Sequence, residues 1–282
     1  MANTNKVIEP RRPTDPKVLS PSKINLATCT AKLGYYLANT ALEIGMSPIA
    51  EISKWAHNKI HQMCLTKDTS VVSNVENLKL EIAKIQDELR DNNITTEQYF
   101  ALCNEAFQFC ITNKLYEGKS ETNIVSQINN RPYIGIIDLI YNNQIYDWKL
   151  KMSKPVGIDY EHRTQMGIYS IFTGIEKTNL IYFYLDGRSK KEPPRVKMVQ
   201  HCFTWDKNKL DKLKYYLSQV ERIIDNKAFF PNRSYKWCSP LYCPYWNRCH
   251  KDFDGEILDS SIPLIDEFEQ KESQNDRGGN SA

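Results

Sequence analysis

Two aspartates and a lysine lie close together in the stretch GIIDLIYNNQIYDWKL, Gly135 to Leu150. Asp138 and Asp147 fall toward the ends of two apolar runs joined by an Asn-rich turn. A hairpin there brings both carboxylates to one end of a sheet. Lys149 follows Asp147 by two residues, so the two share a strand face, while Trp148 points to the opposite, core side. A divalent cation such as Mg²⁺ takes hard oxygen ligands: carboxylates, a backbone carbonyl and water. A lysine beside it can orient a water for attack on phosphorus, which together is the minimum for cutting a phosphodiester. Asp-x-Lys in a hairpin alone is more often a solvated ion pair. Asp138 shifts that balance, because it closes an apolar strand, where an unpaired charge is costly.

The second chemical cluster is KWCSPLYCPYWNRCH, with Cys238, Cys243 and Cys249 spaced C-x4-C-x5-C among prolines and aromatics. Three thiolates need a fourth ligand to close a tetrahedral or cubane site. His250 is adjacent but awkwardly placed to share one metal with Cys249, which leaves a distant cysteine as the other possibility. Cys64, Cys103, Cys110 and Cys202 fall in apolar patterns and read as small core residues.

The elements that must position these residues follow from periodicity. Ser20-Pro21 reads as a helix start, with helical spacing from Ile24 to about Leu42. Further helices fit Pro48 to about Leu65, NVENLKLEIAKIQDELRD (residues 74–91), and Thr96 to Leu115 with Thr95 or Thr96 as cap. After Lys119 the pattern turns to strands: ETNIVSQI, PYIGIIDLIY and QIYDWKLK. A helix, IDYEHRTQMGIYSIFTG, comes next. Then come two strands, NLIYFYLDG and RVKMVQHCFTW, and an amphipathic helix, DKNKLDKLKYYLSQVERIIDNK. The expected fold class is α/β: a small mixed β-sheet flanked by helices, with a helical N-terminal part and a C-terminal cysteine cluster.

With these motifs in place, the chain resembles the PD-(D/E)XK nucleases. The likeness is to the branch holding RecB C-terminal nuclease domains and Cas4-type exonucleases, and it runs from Ser20 to about His250. GIIDLI…IYDWKLK matches the catalytic core, which has a restriction-endonuclease-like fold. Gln165-Met-Gly-Ile-Tyr169 matches the helix Q-x-x-x-Y motif, so Gln165 and Tyr169 would support the site. The branch carries a metal-binding histidine in G-x-x-x-H on an N-terminal helix. Here SKWAHNKIHQMCL offers His61, favoured by its apolar flanks, and His57 as the alternative; neither has the glycine. By this resemblance His61, Asp138, Asp147 and the Trp148 carbonyl hold Mg²⁺ or Mn²⁺, and Lys149 orients the water. Glu121, at the start of the first strand, occupies a place where the family often has an acid. LSPSKINLATC matches the segment whose cysteine joins three C-terminal ones around a [4Fe–4S] cluster. That implies Cys29, Cys238, Cys243 and Cys249 as ligands, with Zn²⁺ as the chemical alternative. The x4 spacing departs from the more usual C-x2-C.

The resemblance implies a metal-dependent DNA exonuclease acting on single strands or free ends in recombination, repair or replication. A separate helicase or recombination partner would supply any motor, since no G-x-x-x-x-G-K-[ST] is present. The alternative is a non-catalytic DNA-binding or assembly subunit that keeps the fold and its metal staple. The domain expectation is an arm over 1–18, a nuclease domain over 19–257 and a disordered tail over 258–282. Within the domain, 19–118 is helical, 119–230 is the catalytic core and 231–257 is the cysteine segment.

Bulk properties agree with this reading. The chain has 282 residues, 41% hydrophobic, and a net charge of +3. That is only mildly basic, so nucleic acid must be met by local basic surface. Arg188, Lys190, Lys191 and Arg195 in DGRSKKEPPRVK form a loop that is either a solvated turn or one such phosphate-tracking surface. KLDKLKYY adds lysines beside aromatics, suited to a single-strand path. No apolar run spans a bilayer and the N-terminus has no signal-like apolar core, so no membrane partner and a cytoplasmic location are expected.

Overall fold

The computed structural model describes residues 18–38, 47–89, 94–128, 131–187, 193–234, 238–240 and 242–253. The expected arm (but for Val18), the tail, and Arg188, Lys190 and Lys191 lie outside them. The chain forms two compact units that are not sequential. One comprises Met1–Asn25 and Met46–Asp225, the other Leu26–Gly45 and Asn226–Ala282.

The first unit is built on a five-stranded sheet in the order β1-β2-β3-β4-β5. Its strands are β1 (Lys119–Ile128), β2 (Arg131–Tyr141), β3 (Gln144–Lys151), β4 (Lys177–Leu185) and β5 (Val196–Thr204). β3 and β4 run parallel and every other neighbouring pair is antiparallel. The β2–β3 hairpin turns through Asn142 and Asn143, both left-handed at φ 47° and 56°. Asparagine tolerates that conformation, and two such residues suit the twist of the flanking strands. The parallel β3–β4 pair needs a crossover, and the helix Tyr160–Thr173 supplies it.

Helices cover both faces of the sheet. The short α1 (Pro21–Asn25) opens this unit, and α2 (Thr30–Leu37) belongs to the other. On one side of the sheet lie α3 (Pro48–Thr66), α4 (Val75–Leu89) and α5 (Thr96–Thr112). Their apolar faces bury Ile52, Ile60, Ile82, Leu102 and Phe107 in one cluster with Leu139, Trp148, Leu150, Ile181 and Phe183. On the other side α6 (Tyr160–Thr173) and α7 (Lys207–Asp225) pack over Ile137, Ile145, Leu180 and Tyr182. Thr95 is the cap of α5: it accepts from Gln98 N while the Gln98 side chain accepts from Thr95 N. That reciprocal pair settles the choice between Thr95 and Thr96. Glycine at 167 lets α6 approach closely, since a Cβ there would meet Leu213 and the Trp205 ring at 2.5–2.8 Å.

The expected single helix from Ile24 to about Leu42 is instead broken. α1 ends at Asn25, a 3₁₀ turn covers Leu26–Thr28, and α2 begins at Thr30. Cys29 stands between them in an extended conformation, φ −134° and ψ 104°. In the second unit the Asn232 N–H donates to Cys29 Sγ at 3.4 Å, and Ala31 N donates to Phe230 O. Bonds to the C-terminal segment thus replace the helical bonds that periodicity alone implied. The second unit also holds α8 (Trp246–Asp252).

Cys64, Cys103 and Cys110 are buried, as their apolar setting suggests, but Cys202 is exposed. It lies on the edge strand β5, where its thiol donates to Asn179 Oδ1 at 3.2 Å. No described helix is long and apolar enough to cross a membrane.

Candidate active site

The β2–β3 ladder pairs only Leu139, Ile140 and Tyr141 with their partners on β3. It stops one residue short of Asp138 and Asp147, so the strands part there. On the other edge of β2, Glu121 stands opposite Asp138 between the pairs Ser120↔Leu139 and Thr122↔Ile137. Glu121 is left-handed at φ 48°. A β-strand carboxylate in that region is strained, and such strain is characteristic of functional positions.

α3 closes the site from above the strand ends. His57 Nδ1 lies 3.5 Å from Asp138 Oδ2, and its ring packs on Trp148 with centroids 5.2 Å apart. One ligand atom each from His57, Glu121 and Asp138 lies within 4.8 Å of the others. His61, one turn further along α3, faces elsewhere: its Nδ1 is 2.7 Å from Ser120 Oγ. The histidine beside the aspartate is therefore His57, and the one favoured from its flanks is not part of this group. The missing glycine made the two hard to separate by sequence, because both sit on the same helical face.

Asp147 is 0% exposed and pairs with Lys149 Nζ at 2.8 Å. The shared strand face expected for them is thus present, and Trp148 is buried in the opposite core. Burial raises the pKa of Asp138 and of Asp147, with Lys149 pulling both back. Burial also pulls Lys149 down, but the Asp147 and Asp138 charges outweigh it and hold the ammonium above its ordinary value. Glu121 is pushed up to about 7 by burial and then by Asp138. His57 is held down to about 4 by burial and then by Lys149, with Asp147 and the bond to the Trp148 backbone acting against them. The imidazole is therefore neutral at neutral pH, the form that ligates metal.

Three carboxylates and one ammonium leave two excess negative charges when all are ionised. Asp138 Oδ2 is also buried without a hydrogen-bond donor. A buried anion in that state calls for a cation. Hard oxygens with one imidazole suit Mg²⁺ or Mn²⁺, so the residues present fit such an ion.

Gln165 and Tyr169 on α6 are also brought to this region. Gln165 Nε2 donates to Tyr169 Oη at 2.8 Å, and Tyr169 Oη donates to Ile136 O at 2.6 Å. The pair thereby pins β2 two residues before Asp138. Gly135 makes room, since a Cβ there would lie 3.2 Å from the Tyr169 ring.

Two further residues were not singled out from sequence. His162, on α6, places Nδ1 2.9 Å from Tyr182 Oη, and Tyr182 is the β4 neighbour of Lys149. His162 stands one turn before Gln165, a spacing that could have signalled it. Tyr182 had no local signal, because its position depends on the parallel register. Arg195 is exposed immediately before β5, where its carbonyl accepts from Asp186 N.

In the second unit, Cys238 and Cys249 have raised pKa values. Burial is the main cause for each, and Cys29 and Cys243 add to it; for Cys249, pushed up to about 11, Cys238 adds as well.

The PD-(D/E)XK nuclease superfamily matches residues 51–250. The chain belongs to that superfamily. Among solved structures, a putative exonuclease from Eubacterium rectale is similar at 14% identity. The match covers 89% of this chain and 92% of that one, with a TM-score of 0.50. A phage-related exonuclease from Haemophilus somnus shares 17% identity over 49% and 74% of the two chains, TM-score 0.32. An alkaline exonuclease from Laribacter hongkongensis shares 10% over 44% and 70%, TM-score 0.29. Of these three, the first alone is similar enough to bear on the fold. No curated protein matches the chain. For a PD-(D/E)XK nuclease, the five-stranded mixed sheet with helices on both faces is the expected framework.

Proposed function

We propose that the chain is a metal-dependent DNA exonuclease acting on single strands or free ends. One observation carries the reading: His57, Glu121 and Asp138 converge within 4.8 Å beside buried Asp147 and its partner Lys149. His57, Glu121, Asp138 and Asp147 would hold Mg²⁺ or Mn²⁺, with the Trp148 carbonyl adjacent. When bound, the ion polarises the phosphoryl oxygen and acidifies water.

The chain's own groups then have distinct tasks. Lys149, kept cationic by two aspartates, donates to the attacking water and to the phosphate. Water oxygen adds to phosphorus as the bond to the sugar oxygen breaks; the water gives up a proton to solvent and the leaving oxygen takes one from solvent, giving a phosphomonoester and an alcohol. Gln165 and Tyr169 keep β2, and so Asp138, in place.

We further propose that Cys29, Cys238, Cys243 and Cys249 hold a [4Fe–4S] cluster. The support is the grouping of these cysteines: burial first, and then their neighbours Cys29 and Cys243, push the Cys238 and Cys249 thiols up, and a cationic centre would reverse that shift. Asn232 N–H donating to Cys29 Sγ is a bond of the kind that tunes cluster sulfurs. Colourless protein with stoichiometric zinc would favour the Zn²⁺ alternative.

The deciding experiment uses anaerobically purified protein, end-labelled single-stranded DNA and Mn²⁺. Lys149→Ala is expected to lower turnover at least ~100-fold while DNA binding persists. Equal degradation by wild type and variant rejects the assignment.

A further inference from the structure

The segment between β3 and α6 leaves the active site directly: it follows Lys151, the last residue of β3 and two beyond Lys149. It is anchored at both ends. Lys151 Nζ pairs with Asp159 Oδ2 at 3.1 Å, and Asp159 N donates to Tyr182 Oη at 3.3 Å. Tyr182 is the cross-strand neighbour of Lys149. The base of the loop is therefore tied to the residues flanking the water-orienting lysine.

Past Lys154, this loop and the first residue of α6 present apolar side chains. Val156 is 107% exposed, Ile158 is 38% and Tyr160 is 57%. Gly157 between the first two takes φ +101° with nothing within 4 Å of where a Cβ would be. Tyr160 is propped edge-on against Tyr216 of α7, ring centroids 6.0 Å apart. Lys154 on the loop and Lys212 on α7 are exposed, while Glu161, next to Tyr160, bears on Tyr216. Lys212 lies one turn before Tyr216.

Three exposed apolar side chains on a segment tied to the residues flanking Lys149, with exposed lysines on the same loop and on the helix that props Tyr160, match an unstacked base with its flanking phosphates. Apolar and aromatic surface takes a base face without regard to sequence, and ammonium groups take the backbone. A base in an intact duplex is stacked on both sides and does not offer that face.

We propose that Val156, Ile158 and Tyr160 form a base-stacking contact for the nucleotide next to the scissile phosphate, selecting single-stranded or frayed DNA. The proposal rests on the nuclease reading and deepens it. The exposed Lys154 and Lys212 favour nucleic acid over an apolar protein partner.

The test measures binding of the full chain to a fluorescent single-stranded oligonucleotide, with Ca²⁺ present so that cleavage does not intervene. A second oligonucleotide has abasic sites in place of its bases. Wild type is expected to bind the normal strand ~10-fold more tightly than the abasic one. Tyr160→Ala is expected to lose ~10-fold on the normal strand and to be nearly unchanged on the abasic one. Val156→Ser, at a fully exposed side chain, is expected to lose in the same direction. Variants that bind both strands like wild type overturn the proposal, as does equal loss on both. Turnover of the abasic strand with Mn²⁺ in place of Ca²⁺ tests the nuclease reading separately; with no base to stack, it should be the same in wild type and variants. If it is absent in wild type while the binding pattern holds, the stacking contact stands and the catalytic reading falls.

Discussion

Lys149 and the acids around it show how much of the site's chemistry depends on burial. Aspartate in water is ionised at neutral pH, yet Asp138, Asp147 and Glu121 are all raised, so the ion-free site resists full ionisation. For Glu121 the sign is definite. Its folded pKa, about 7, lies above the ordinary 4.5. The stability this confers is fully present below about pH 4.5 and is lost as pH rises through about 7. In EDTA, Glu121→Gln is therefore expected to gain stability relative to wild type between about pH 5 and about pH 8, read as the difference in Tm. Mn²⁺ at the alkaline end of that range should stabilise wild type and do less for the variant. A flat difference across this range would remove Glu121 from the site. The two histidines make a second residue-scale prediction. His57→Ala should weaken Mn²⁺ binding by calorimetry at least ~10-fold. His61→Ala should leave it nearly unchanged, losing only the Ser120 bond, worth about 1 kcal/mol.

Among the elements, α6 does most of the positioning. It crosses between the parallel strands, carries Gln165 and Tyr169 onto β2, and carries His162 toward the neighbour of Lys149. Its approach depends on Gly167. Gly167→Ala would drive a methyl into Leu213 and the Trp205 ring. The expected cost is about 1–3 kcal/mol, seen as a lower urea midpoint with an unchanged slope. Nuclease activity should fall with it, because Tyr169 sits two residues beyond and shifts with the helix. Unchanged midpoint and activity would mean that α6 can move without consequence. The β2–β3 hairpin was readable from its alternating apolar residues and paired asparagines. The break in the helix at Cys29 was not, because its cause is bonding to residues 200 positions away.

Across the whole molecule, the candidate oxygen and imidazole ligands His57, Glu121 and Asp138 lie in one compact unit, and Cys29, Cys238, Cys243 and Cys249 lie in the other. Segments 26–45 and 226–282 are far apart in sequence, so a centre joining Cys29 to Cys238, Cys243 and Cys249 closes a very long loop. Metal binding of that kind is coupled to folding. Cys29→Ser is expected to lose iron and visible absorbance and to make residues 226–253 sensitive to proteolysis. Retained iron at wild-type stoichiometry would exclude Cys29 as a ligand.

Much here was set by sequence alone. The period-two runs, the asparagine turn and the Asp-x-Lys spacing place Asp147 and Lys149 on one strand face, because side-chain direction along a strand is local geometry. The Q-x-x-x-Y spacing likewise puts Gln165 and Tyr169 within reach of each other along a helix. Tertiary structure decided what spacing could not: that His57 rather than His61 meets Asp138, that Glu121 faces Asp138 across β1 and β2, and that Tyr182 lies beside Lys149. Each depends on strand register or on the rotation of a helix over the sheet. Those are determined by the packing of the whole core, and two residues one helical turn apart look the same until that packing exists.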